Sequence, residues 1–175
     1  MASLSEDQVA SYHKDGFVIP DFQLPAATVA DMRAAYDALL DANADTPGFD
    51  PDFILGPHLP QPGAQGTKGD PRWLAFAQNP DILHMLAQVT GPDLILWGMT
   101  VFGKPAHHGK ITPWHQDGDY YPIEPLETTT VWIALDDATP ENGCMRYMPG
   151  SHKQRRIFPH HWDERPDYTL TQVLD

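Results

Sequence analysis

Trp114-His115-Gln116-Asp117-Gly118-Asp119-Tyr120-Tyr121 sets an imidazole and a carboxylate two residues apart among strand-forming residues. On a strand, side chains at i and i+2 leave the same face, so His115 and Asp117 point at one ion. An imidazole and a carboxylate on one face supply two of the three protein ligands of the 2-His-1-carboxylate triad, which holds non-haem Fe(II) with open positions. The third ligand has to come from elsewhere in the chain.

His-x-Asp occurs three times, and its surroundings separate the copies. His13-Lys14-Asp15 closes a helical pattern before Gly16, a helix stop, and residues two apart on a helix diverge. His161-Trp162-Asp163 lies among Pro159, Glu164, Arg165 and Pro166, which reads as a loop. Only His115 and Asp117 have strand-like flanks; the bland alternative for them is a surface hydrogen bond or turn.

The 175 residues suffice for one domain with a core, and 41% hydrophobic and 20% charged residues are ordinary for a soluble protein. Eleven basic against 24 acidic residues give a formal charge of -13, which argues against nucleic acid or an anionic membrane as partner. Cys144 stands alone, so no internal disulfide forms. Met1 to Asp7 has neither a basic start nor an apolar run, and no apolar stretch approaches a membrane span, so the expectation is a soluble, cytoplasmic protein of unknown oligomeric state. The 18 prolines, many in 51–71 and 105–125, break helix and favour long connections and strand edges.

Along the chain, Ser5 and Gln8 form a capping box that opens a helix to about Lys14. Phe17 to Pro20 reads as a short strand. Pro25 starts a second helix through Ala42, with Val29, Met32, Ala35, Tyr36 and Leu39 on its apolar face. Residues 45–71 form a long irregular connection. Helical periodicity from Trp73 to Val89 breaks near Pro80, where a new helix runs to Gly91. The period then changes to that of strands: Asp93–Phe102, Thr112–Gln116, Thr128–Leu135 and Cys144–Met148, the last closed by a Pro149-Gly150 turn. One unit over 1–175 is expected, helical over about 1–92 and β over about 93–175. The class is α+β, mainly β, with helices packed outside a barrel or sandwich.

Several of these motifs stand together in one order: His115-Gln116-Asp117, Thr130-Val131-Trp132-Ile133-Ala134-Leu135-Asp136, Glu141-Asn142-Gly143-Cys144-Met145 and Met148-Pro149-Gly150-Ser151-His152-Lys153. With Asp15-Gly16-Phe17-Val18-Ile19 near the start, the array resembles the phytanoyl-CoA dioxygenase (PhyH) family. The resemblance implies an Fe(II)- and 2-oxoglutarate-dependent dioxygenase with a double-stranded β-helix (jelly-roll, cupin-like) fold. It implies His115 and Asp117 as iron ligands, and Gln116, Trp132 and Met99 beside 2-oxoglutarate, with Lys68 a weaker correspondence. Plain core packing is the alternative for Trp132 and Met99.

The chain departs from the family at its end. The resemblance implies a distal histidine and a 2-oxoglutarate-clamping arginine on late strands, and these are expected beyond Asp175, so the 175 residues are expected to be a fragment that lacks its last strands and turns over little. Two other readings stand beside this one: a non-catalytic β-helix binding module, and a cupin-like metalloprotein with His152 or His160 as third ligand. The substrate is expected to be a small organic molecule without CoA, reaching the metal past Tyr120, Tyr121 and the 45–71 connection and joined there by dioxygen, with His108 a further candidate to bind substrate or solvent.

Overall fold

Ser5 and Gln8 start the first helix by answering each other's backbone. In the computed structural model, which describes residues 1–61 and 66–175, Gln8 N–H donates to Ser5 Oγ at 3.2 Å and Ser5 N–H to Gln8 Oε1 at 3.0 Å. Helix α1 spans Glu6–Asp15 and ends where Gly16 takes a φ of 87°, a left-handed turn that costs glycine little. Positions 62–65, within the expected 45–71 connection, lie outside the described residues.

Helix α2, Ala26–Asn43, follows Pro25 and buries Met32, Ala35 and Leu39, the stripe that the 3.6-residue period anticipates. Its last residue, Asn43, is also buried. The Asn43 amide donates to Leu39 O and Lys68 O and accepts from Lys68 N–H at 2.7 Å, so it ties the end of α2 to the chain after the described gap. Helices α3, Arg72–Ala77, and α4, Pro80–Thr90, are separated as expected at Asn79, whose side chain caps α4 by accepting from Asp81 N–H and Ile82 N–H. Ala35, Leu39, Ile54 and Trp73 form the buried cluster, with Tyr36, Phe76, Met99, Val101 and Leu135 packed around it. Burying a side chain such as Leu39 or Ile54 stabilises the fold by about 1.5–3 kcal/mol.

Strand β1, Phe53–Leu55, pairs antiparallel with β2, Thr100–Phe102, placing Ile54 opposite Val101. Strand β3, His160–Trp162, pairs antiparallel with β4, Gln172–Leu174, placing His161 opposite Val173. A parallel bridge joins Ile111 to Tyr168, and Leu174 N–H donates to Trp114 O at 2.8 Å, so the chain entering the His-x-Asp segment lies against the last residues.

These elements correct the expected pattern. The class is α+β; among the described residues helix outweighs strand, and the strands form two two-stranded sheets, without a closed barrel or double-stranded β-helix. Of 93–102 only Thr100–Phe102 is strand; Phe17–Pro20, 112–116, 128–135 and 144–148 are not strands. Strand propensity reports fit to a pleated, half-buried surface. Here Trp97, Val131, Trp132 and Met148 remain exposed, with no ladder beside their segments among the described residues. Conversely, β1 emerges within the stretch expected to be irregular, and β3 within the expected loop around His161, because each finds a partner distant in sequence. Among the described residues, no helix is long and apolar enough to cross a membrane.

Candidate metal centre

Gln116 is extended, with φ -115° and ψ 125°, and Asp117 opens a 3-10 turn that runs to Asp119. A single extended residue is enough to turn its two neighbours to one side, so the i, i+2 geometry survives without a strand. His115 Nε2 lies 3.2 Å from Asp117 Oδ1. Gly118 lets the turn close, since a Cβ there would sit 2.8 Å from both Ile157 Cδ1 and Leu126 Cδ2.

The second nitrogen of His115 decides the chemistry of the first. Nδ1 lies 2.8 Å from Pro113 O and Nε2 3.2 Å from Asp117 Oδ1, two groups that only accept, so the imidazolium satisfies both while a neutral ring leaves one of them without a hydrogen. With its hydrogen on Nδ1, the ring leaves Nε2 free to take a cation beside the carboxylate. That pairing calls for a cation between them, a proton or a metal ion, and a backbone carbonyl on the far nitrogen is the usual way to orient a metal-binding histidine. Thr130 Oγ1 donates to the other carboxylate oxygen, Asp117 Oδ2, at 2.8 Å. The Tyr120 ring meets His115 edge-on at 6.0 Å, and its hydroxyl is fixed by accepting from Gln172 N–H at 3.2 Å.

Titration follows from these contacts. Burial, the largest single influence, pulls His115 down, but the Asp117 carboxylate and the Pro113 carbonyl together hold the imidazole above its ordinary value. The His115 bond, aided by the Thr130 hydroxyl, holds Asp117 below the usual carboxylate range against the effect of burial. Tyr120, Tyr121 and Tyr147 are all pushed up, first by burial and further by negative charge that includes Asp117. Three phenols therefore lie within the field of one carboxylate.

The other expected site residues are distributed. The Gln116 side chain is taken up by backbone: it accepts from Phe158 N–H at 2.6 Å and donates to Arg156 O at 3.2 Å. Met99 packs against the helical core cluster. Trp132 is about half exposed, two residues beyond Thr130. Tyr121 packs against Trp97 with ring centres 6.0 Å apart. His108 is exposed in the turn at 106–108, and the Lys68 backbone is held by Asn43.

The candidates for a third ligand are engaged elsewhere. His152 Nε2 contacts His13 O at 3.0 Å at the end of α1. His161 Nδ1 pairs with Asp175 at 2.7 Å. His160 is almost fully buried, with Nδ1 against Phe158 O and Nε2 accepting from Gln116 N–H. In this arrangement neither His152 nor His160 turns a free nitrogen towards His115 and Asp117. Among the described residues no three His, Cys, Asp or Glu side chains converge as a metal group. The donor chemistry of His115 and Asp117 nevertheless fits two positions of a divalent ion. No local signal in the sequence marks Thr130 as the partner of Asp117, because the bond crosses between segments 13 residues apart.

Comparison with known proteins gives the class to which this chain belongs. The phytanoyl-CoA dioxygenase (PhyH) family profile matches residues 12–173, and the chain belongs to that family. The chain is 25% identical over 162 residues to the human peroxisomal phytanoyl-CoA dioxygenase, a match covering 86% of this chain and 48% of the human protein. It is 36% identical over 88 residues to phytanoyl-CoA dioxygenase 1 of rice (46% of this chain, 31% of the rice protein). Against the zebrafish phytanoyl-CoA dioxygenase domain-containing protein 1 it is 45% identical over 60 residues (34% of this chain, 20% of that protein). The chain thus spans about half the length of the human relative. No solved structure matches it significantly.

Proposed function

We propose that this chain carries part of the metal site of an Fe(II)- and 2-oxoglutarate-dependent dioxygenase that hydroxylates a small organic substrate. The observation that supports this best is His115 Nε2 facing Asp117 Oδ1 at 3.2 Å while Nδ1 rests on Pro113 O. Iron(II) and 2-oxoglutarate, when bound, supply the oxidative chemistry with dioxygen. His115 binds through Nε2 and Asp117 through Oδ1, while Thr130 holds Oδ2 and Tyr120 braces the imidazole ring. Trp132, exposed beside Thr130, borders the cosubstrate. Gln116 and Met99 serve the scaffold rather than the cosubstrate, since one is occupied by backbone at 156–158 and the other by the core. Tyr121 and His108 line the substrate's approach.

Anaerobic titration with Co(II) or Fe(II), followed by optical absorption, tests the reading. Binding by the wild-type chain that is lost in both His115→Ala and Asp117→Ala supports it, and equal binding by all three sinks it. With only two ligands converging among the described residues, little succinate is expected from 2-oxoglutarate with the purified 175-residue chain. Brisk turnover would show that a third ligand had been overlooked.

A further inference from the structure

We infer that His160 is a positioning residue for the metal pair, acting through the backbone amide between the two ligands; this rests on the metal reading of His115 and Asp117. The imidazole of His160 is 3% exposed and both of its nitrogens are spoken for. Nδ1 lies 2.8 Å from Phe158 O, which only accepts, so Nδ1 carries the hydrogen. Nε2 is then a bare acceptor, and it receives Gln116 N–H at 3.1 Å. Asp119 Oδ1, at 3.8 Å, is too far for a hydrogen bond.

The partner of that bond gives it consequence. Gln116 is the residue whose extended backbone turns His115 and Asp117 to one side. Its side chain is clamped to the same stretch as its amide, by Phe158 N–H at 2.6 Å and Arg156 O at 3.2 Å. Three hydrogen bonds thus fix one residue against 156–160; of these the His160 bond acts on its main chain, whose carbonyl also accepts from Asp119 N–H at 2.9 Å within the turn. Without that acceptor, a partly buried N–H loses its partner and the backbone turns to recover one. Rotation at Gln116 swings the two ligands apart. Residues that orient metal ligands from behind typically change metal affinity by about 10–100-fold when removed.

Three variants isolate the acceptor. The side-chain oxygen of His160→Gln reaches the place of Nε2. His160→Asn replaces only the Nδ1 end, and His160→Leu replaces neither. Co(II) affinity, read by anaerobic optical titration beside each variant's melting temperature, should weaken about tenfold or more in His160→Asn and His160→Leu and stay within about threefold in His160→Gln. Equal affinity in wild type, His160→Asn and His160→Leu overturns the inference while the metal reading stands; a wild-type chain that takes no metal overturns both. If the variants do not fold, imidazole 15N spectra of the wild type decide. His160 should keep its hydrogen on Nδ1 and an unshifted Nε2 when Zn(II) is added, whereas an Nε2 resonance that moves with that of His115 would make His160 a ligand and overturn the inference.

Discussion

Thr130 donates its hydroxyl to Asp117 Oδ2 at 2.8 Å, which leaves Oδ1 alone to face His115. The bond joins the 128–135 segment to the metal pair and fixes which carboxylate oxygen is free. Hydrogen bonds to charged groups contribute roughly 1.5–3 kcal/mol. Thr130→Val keeps the shape and removes the donor, so metal affinity should fall about tenfold and the Asp117 carboxyl should rise towards its ordinary value. Titration of Co(II) binding against pH checks both, and an unchanged affinity would make Thr130 a bystander.

His152 stands in Pro149-Gly150-Ser151-His152 with its Nε2 on His13 O. Its ring also fills the space beside Gly16, where a Cβ would come 2.5 Å from Nδ1. The residue therefore docks the turn onto the end of α1. His152→Ala should leave metal affinity unchanged while lowering the melting temperature by about 2–4 °C, the shift that 1 kcal/mol produces in a chain of this size. A variant with normal melting and lost metal binding would restore His152 as a ligand.

Local signals in this sequence were legible, and distant pairings were not. Ser5, Gly16, Pro80 and Gly91 mark helix ends by chemistry confined to a few neighbours, and all four sit at helix boundaries. The His115–Asp117 side-sharing was also readable, because it needs only one extended residue between them. Strands depend on partners elsewhere: Phe53–Leu55 owes its state to Thr100–Phe102, and His160–Trp162 to Gln172–Leu174. Nothing within 128–135 reveals that its Thr, Val and Trp residues lack such a partner. The role of His160 was hidden for the same reason, since its acceptor bond crosses to Gln116 in a distant segment.

The coupled titration of the metal pair predicts a pH window for the metal-free chain. Asp117 lies below its ordinary 3.8 in the folded state, so its contribution is present above 3.8 and lost as pH falls through the depressed value. His115 lies above its ordinary 6.5, so its contribution is present below 6.5 and lost as pH rises through the raised value. Both are whole between 3.8 and 6.5. Melting of the metal-free chain relative to Asp117→Asn should show its greatest excess there and narrow on either side. Metal binding follows the opposite slope where His115 titrates, rising with pH as Nε2 loses the proton that competes with the metal. A wild-type excess that is flat with pH would mean the pair is not coupled in solution.

Gly118 tests how tightly the turn after Asp117 is packed. An alanine Cβ would meet Ile157 Cδ1 and Leu126 Cδ2 at 2.8 Å and Leu126 Cγ at 3.2 Å. These are mostly the far ends of flexible side chains, so overpacking should cost about 1 kcal/mol, the low end of its usual range. Gly118→Ala should accordingly melt about 2–4 °C lower. Leu126→Ala removes two of the three obstructing atoms from a side chain that is already partly exposed. In the double variant the two losses should therefore fall short of their sum by at least about 0.5 kcal/mol, a coupling that a thermodynamic cycle resolves. Strict additivity would mean that the backbone, rather than Leu126, yields to the added methyl, and Asp117 would then move with it.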